Sequence, residues 1–199
     1  MMPKVLDNKA KFLIAIGFTL WLLFLACKVD VKDGKGGPDK VDIETPIGGI
    51  HVNEGADVRD TGLAVYPGAR QKQKGNDGDS KSANVNISSS FFGVKVVALE
   101  YESDDPPDKV LAFYQDQLKK FGRVLQCHTS KPGGDLTVQT GGNSDSSREV
   151  RCEGNNTGNV TELKVGTEGN QHLVSVEPEG KGSDFALVYI LTRGKEGTI

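Results

Sequence analysis

Basic tracts are missing from this chain. Its 199 residues carry 24 basic against 27 acidic side chains, a formal net charge of −3, and nowhere interleave basic with aromatic residues. A phosphate backbone is neutralised by a stripe of Lys and Arg, so nucleic acid is not an expected partner. Apolar residues make up only 36%, aromatics 7%, and Gly reaches 25 residues, which implies a modest core with long polar loops. Histidine occurs three times, at His51, His128 and His172, and the three are not clustered in sequence. No H-E-x-x-H, Walker loop, G-x-S-x-G elbow or C-x-x-C occurs, so no metal or cofactor is signposted and no catalytic residue is marked.

Only one long hydrophobic run exists. Lys4, Lys9 and Lys11 precede Phe12 to Cys27 (F-L-I-A-I-G-F-T-L-W-L-L-F-L-A-C). As a helix its about 16 residues span roughly 24 Å, slightly short of a bilayer core of roughly 30 Å. Snorkelling by Lys11 and Lys28 and the further apolar Val29 and Val31 extend it, giving an anchor over 12–31. The leading positive charges keep residues 1–11 in the cytoplasm and export the rest. The expectation is a single-pass bacterial inner-membrane protein, an uncleaved signal anchor with a periplasmic body. Two alternatives stand beside it. Phe24-Leu25-Ala26-Cys27 is similar to a lipobox, which would make Cys27 the acylated first residue of a lipoprotein. A cleaved secretory signal is the other, although no A-x-A-like site follows.

Residues 32–57 read as a linker and a short β-ribbon. Asp30 to Lys40 is charged and glycine-rich, a tether holding the body off the membrane. Val41–Glu44 and Ile50–Asn53 alternate around Thr45-Pro46-Ile47-Gly48-Gly49, a hairpin pattern that leaves His51 facing solvent. In Leu63-Ala64-Val65-Tyr66-Pro67-Gly68-Ala69, Pro67-Gly68 suits the centre of a type II turn.

The body, 58–199, is organised around one amphipathic helix in Ser103 to Gly122. Asp105 is placed to cap it, Pro106 sits where a missing N–H costs nothing, and Gly122 offers a left-handed exit. At 100° per residue Val110, Leu111, Phe113, Tyr114, Leu118 and Phe121 share a face. Strand patterns flank it at Val85–Ser88, Val94–Ser103, Arg123–His128, Glu149–Cys152, Val160–Val165, Gln171–Glu177 and Phe185–Thr192, with a short apolar segment at Leu136–Val138. The last strand is apolar on both faces, as in a central strand. The expected fold class is α+β: an antiparallel sheet of about five to seven strands, covered on one face by the helix, behind an N-terminal membrane helix.

Two phrases, D-T-G-L-A-V-Y-P-G-A-R (60–70) and F-F-G-V-K-V-V-A-L-E-Y-E-S-D-D-P-P-D-K-V-L-A-F-Y (91–114), resemble a group of uncharacterised bacterial proteins. These join an N-terminal membrane segment to a small α+β domain. The resemblance implies location and fold, with no activity, cofactor or catalytic residue attached.

Cys127 and Cys152 each close an apolar run, and in an exported domain they are expected to form a structural disulfide. Successive strand positions point to opposite faces, so Cys127–His128 is a poor nucleophile–base pair. The acidic group Glu100, Glu102, Asp104, Asp105 is better explained by a strand edge and a helix start than by Ca²⁺, since Pro106-Pro107 interrupts any ligand loop. The expected function is therefore a membrane-tethered domain that binds an envelope protein or lipid, or has a structural role there. The alternative is an envelope hydrolase or transferase with a site near His128 and His172.

Overall fold

The computed structural model describes residues 28–32, 40–53, 55–73, 81–90, 92–134 and 147–194. Ten strands form one sheet: β1 Lys28–Lys32, β2 Lys40–Thr45, β3 Gly48–Asn53, β4 Arg70–Gln71, β5 Ser82–Ser89, β6 Phe92–Ser103, β7 Leu125–Thr129, β8 Val160–Thr167, β9 Asn170–Glu179 and β10 Gly182–Gly194. Their order is β1-β2-β3-β5-β6-β10-β9-β8-β7, antiparallel at every step, and β4 pairs with the end of β6. The α+β class holds, with more strands than the five to seven expected. The surplus comes from the N-terminal side, where the hairpin read as a separate ribbon continues the body's sheet.

That side also corrects the linker. K-V-D-V-K alternates apolar and polar, and as β1 it pairs Val29 with Ile43 and Val31 with Val41. The expected anchor thus ends in strand over 28–31, and its residues 12–27, with Cys27, lie outside the described residues. No helix among the described residues is long and apolar enough to cross a membrane. Of the charged tether, Asp30–Lys32 belong to β1 and Lys40 opens β2, and residues 33–39 lie outside the described residues.

Helix α1 spans Pro107–Leu118 and continues as a 3-10 turn, Lys119–Phe121. It lies across β8, β9 and β10. Val110, Tyr114 and Leu118 are fully buried beneath it, each worth about 1.5–3 kcal/mol of burial. Below them sit Val97, Leu99, Tyr101, Leu163, Val165, Val174, Val176, Phe185 and Leu187. α1 carries the chain from β6 to β7, which run parallel, and the rest of that half is the expected meander β8-β9-β10. β10 is central and its reverse face is also apolar, with Leu173, Val188 and Ile190 buried there.

The helix start differs from its expected form. Pro106 is the N-cap and no side chain caps it. Asp105 faces away from the helix backbone: its carboxylate accepts from Tyr66 Oη at 2.9 Å and Lys109 Nζ at 2.7 Å. These two bonds, Lys109's first, hold the Asp105 carboxyl below its ordinary range. Gly122 leaves the helix at φ 138°, not in the left-handed helical region. The segment 149–152 is not a strand; its one β-bridge to the sheet joins Glu149 to Thr167. The expected segment Leu136–Val138 lies outside the described residues.

Tyr66, Pro67, Gly68 and Ala69 do form the type II turn: Ala69 N–H reaches Tyr66 O at 3.0 Å, with Gly68 at φ 79°. The turn is clamped onto the second of the two phrases singled out above. Tyr66 N–H donates to Tyr114 Oη at 3.0 Å, the Tyr66 ring meets Phe113 edge-on, and Arg70 bonds Glu102 and both oxygens of Asp104. The two phrases are therefore the two halves of one packed junction.

The sheet changes its apolar side along β6. Val97, Leu99 and Tyr101 point to the helix side, while Phe92, Val94 and Val96 point to the reverse. The doublet Val96-Val97 marks the change. In the β1–β5 wing the reverse side carries Val29, Val41, Ile43, Ile50, Val52, Val85 and Ile87. The helix side of that wing is polar, with Asp42, Glu44, His51, Asn84, Asn86 and Lys95.

Candidate functional site

The structure joins Cys127 and Cys152 in a disulfide, with Cα atoms 5.4 Å apart. It pins the segment around Val150 to the reverse face of β7 and β8. Beneath that segment Lys164 Nζ donates to Arg151 O at 3.0 Å, and Thr129 Oγ1 donates to Glu162 Oε1 at 3.3 Å.

The three histidines occupy unrelated places. His51 is on the solvent-facing side as expected, its side chain 44% exposed and lying between two carboxylates, Nδ1 facing Asp42 at 2.8 Å and Nε2 facing Glu44 at 3.2 Å. His172 is buried in a stack, its ring centroid 3.8 Å from Phe121 and 4.8 Å from Tyr189. Burial pushes its pKa below the ordinary 6.5, only partly opposed by a hydrogen bond to the Thr61 backbone, while Lys120 adds to the lowering. Its Nδ1 has no partner. His128 is half-buried on β7, where its backbone N–H donates to Asn156 Oδ1 at 2.6 Å. The register places His128 beside Thr161 and Val176, four residues along β9 and two strands across from His172. On sheet spacings that is about 16 Å, too far for one reacting atom to meet both rings. The His128–His172 site is not assembled. Among the described residues, no three His, Cys, Asp or Glu side chains converge to hold a metal.

Two other places stand out. The first is a cleft of about 260 Å³ on the reverse face, where β6, β9 and β10 meet the ends of the chain flanking β4 and β5. Register sets its floor: Glu100 lies beside Ala186, Ala186 beside Ser175, and Asp184 beside Glu177. Lys72 comes in behind β4, its N–H bonded to Glu100 O at 2.9 Å, and its ammonium forms an ion pair with Asp184. Burial works against that ammonium, but Asp184, with Glu100 and Glu102, outweighs it and raises the Lys72 pKa. Glu177 is pushed up, first by burial and then by the charges of Asp184, Glu179 and Glu100, with Lys72 pulling the other way. Ser175 lines the cleft at 2% exposure with a hydroxyl that has no partner. The alternation S-V-E-P was visible as strand, but without the register nothing joined it to Lys72 or Lys81.

The second is an apolar corner. Among the described residues, Val29, Ile47, Ile50 and Phe92 are the exposed large hydrophobics, from 38% for Ile50 to 73% for Ile47. They gather at one end of the wing: Lys28 opens β1 opposite Glu44, beside the β2–β3 turn that carries Ile47. Ile43, Ile47, Ile50, Ile87 and Phe92 line a groove of about 290 Å³ there. Comparison of the chain with protein-family models, curated proteins and solved structures gives no match, so geometry and chemistry alone bear on these places.

Proposed function

We propose that this chain is an extracytoplasmic domain, tethered to a bacterial inner membrane by residues 12–27, that works by binding at the bilayer surface rather than by catalysis. One observation carries the reading: the exposed large hydrophobics collect where strand β1 begins, one residue after the apolar run ends. A chain leaving the bilayer at Cys27 enters the sheet at that corner with no spacer. Val29, Ile50, Ile47 and Phe92 then meet the interfacial region, where apolar and aromatic side chains are stable. The Cys127–Cys152 bond supports an oxidising compartment for the body.

The test places a reporter in the corner of the full chain in lipid vesicles. Trp21→Phe removes the native tryptophan and Ile47→Trp supplies another; nitroxide-labelled lipid then quenches only a residue at the bilayer. Strong quenching of Ile47→Trp, with Gln115→Trp on the exposed side of α1 unquenched, is the expected result. If native Trp21 is quenched but Ile47→Trp is not, the tether stands and apposition of the corner is refuted. If neither is quenched, both fall.

A further inference from the structure

We propose that the reverse-face cleft at β6, β9 and β10 binds a small zwitterion of the amino-acid type, with its ammonium toward Glu177 and its carboxylate toward Lys81. The inference goes beyond membrane tethering and does not depend on it. Both charge signs line one concavity of about 260 Å³, a volume that suits a free amino acid and not a larger drug-sized ligand. Lys72 and Asp184 neutralise each other in an ion pair that is only 28% and 16% exposed. Among the described residues that leaves Lys81, Glu100 and Glu177 without ion-pair partners around the same space. Crowded carboxylates repel one another in a partly dry cleft, and an incoming ammonium relieves that repulsion. Lys81, just before β5, is held beside Glu100 by the Glu100 N–H to Lys81 O bond at 2.9 Å, and it lies across β6 and β10 from Glu177, which places a cation and a carboxylate at the two ends of the cleft.

The floor adds an independent pointer. Ser175 is 2% exposed and lines the cavity, and its buried hydroxyl has no hydrogen-bond partner. A buried unsatisfied hydroxyl destabilises the empty protein, and a ligand that supplies a donor or acceptor removes the penalty. A carboxylate at one end, an ammonium at the other and a hydroxyl at the floor together discriminate a zwitterion from an ion of either sign alone.

The experiment uses the purified full chain in detergent micelles and isothermal titration with glycine, L-alanine and D-alanine, beside acetate and methylammonium. At least one amino acid is expected to bind about tenfold or more tightly than either single-charge probe. Ser175→Ala and Glu177→Gln should each weaken that binding severalfold while the disulfide-bonded fold is retained by circular dichroism. Lys81→Gln, on the rim and remote from the core, should weaken it without touching the floor. Absence of amino-acid binding, equal binding of acetate or methylammonium, or unchanged affinity in folded Ser175→Ala and Lys81→Gln would each overturn the proposal.

Discussion

Reducing the single disulfide in the body should cost stability by a calculable amount. Cys127 and Cys152 are separated by 25 residues. Closing a loop of that size removes entropy from the unfolded chain worth about 3.5 kcal/mol at 25 °C. In the native state the far side of the loop is held by three hydrogen bonds besides the disulfide: Val150 N–H to Gly166 O, Glu168 N–H to Arg148 O, and Lys164 Nζ to Arg151 O. They are enough to keep the segment in place once the bond is cut, so the loss should appear in the unfolded state and not as a rearranged native fold. For a domain of this size each kcal/mol moves the melting temperature by about 2–4 °C, so reduction should lower it by roughly 7–14 °C. The assay is thermal melting by circular dichroism of oxidised protein and of protein reduced with a phosphine, with Cys127→Ala/Cys152→Ala as a third sample. Equal melting temperatures for the oxidised and reduced forms would refute the reasoning. So would a large change in the native spectrum on reduction, because the bond would then be holding native structure that the remaining contacts cannot.

Other expectations are as direct. Tyr114→Phe removes the acceptor for the buried Tyr66 N–H and should cost about 1–3 kcal/mol in urea unfolding, with the fold unchanged. Because the folded pKa of His172 is depressed, its stabilising contribution is complete above the unfolded value of 6.5 and is lost as pH falls below it. The urea midpoint should therefore drop between pH 7.5 and 5.5, and His172→Gln should flatten that stretch of the profile. The folded pKa of Glu177 is raised, so its charged form costs stability at neutral pH and the cost fades as pH falls through the folded value toward 4.5. Glu177→Gln should accordingly be more stable than the parent at pH 7 and equal to it near pH 4 by the same titration. Gly68→Ala, at φ 79° with open space around it, should cost only about 1 kcal/mol, whereas Gly166→Ala, where a Cβ collides with the Asn170 carbonyl, should cost more in the same melts.

The helix and the C-terminal meander were legible because each obeys one period cleanly. Val110, Tyr114 and Leu118 recur every four residues, and Phe185, Leu187, Tyr189 and Leu191 every two. The wing was legible only in part. Val29 and Val31 alternate with charges as a strand does, but they follow an apolar run and read as its tail; pairing with Val41 and Ile43 settles the matter in three dimensions. β6 was legible as a strand from Val94 onward but not as the place where the apolar side changes, because only its partners on β5 and β10 show that Val97, Leu99 and Tyr101 serve one face and Phe92, Val94 and Val96 the other. Asp105 follows the helix-capping preference, yet Tyr66, 39 positions away in sequence, takes its carboxylate. The cleft was illegible because Lys72, Ser175 and Asp184 meet only through register across three strands.

Because β6 serves the helix-covered half with one set of side chains and the wing with the other, its length has almost no tolerance. Deleting one residue near Val96 would shift every later partner along β10 and turn Val97, Leu99 and Tyr101 outward in a single step. Point changes in this strand should be absorbed far better than any insertion or deletion, and length variation belongs in the connections instead.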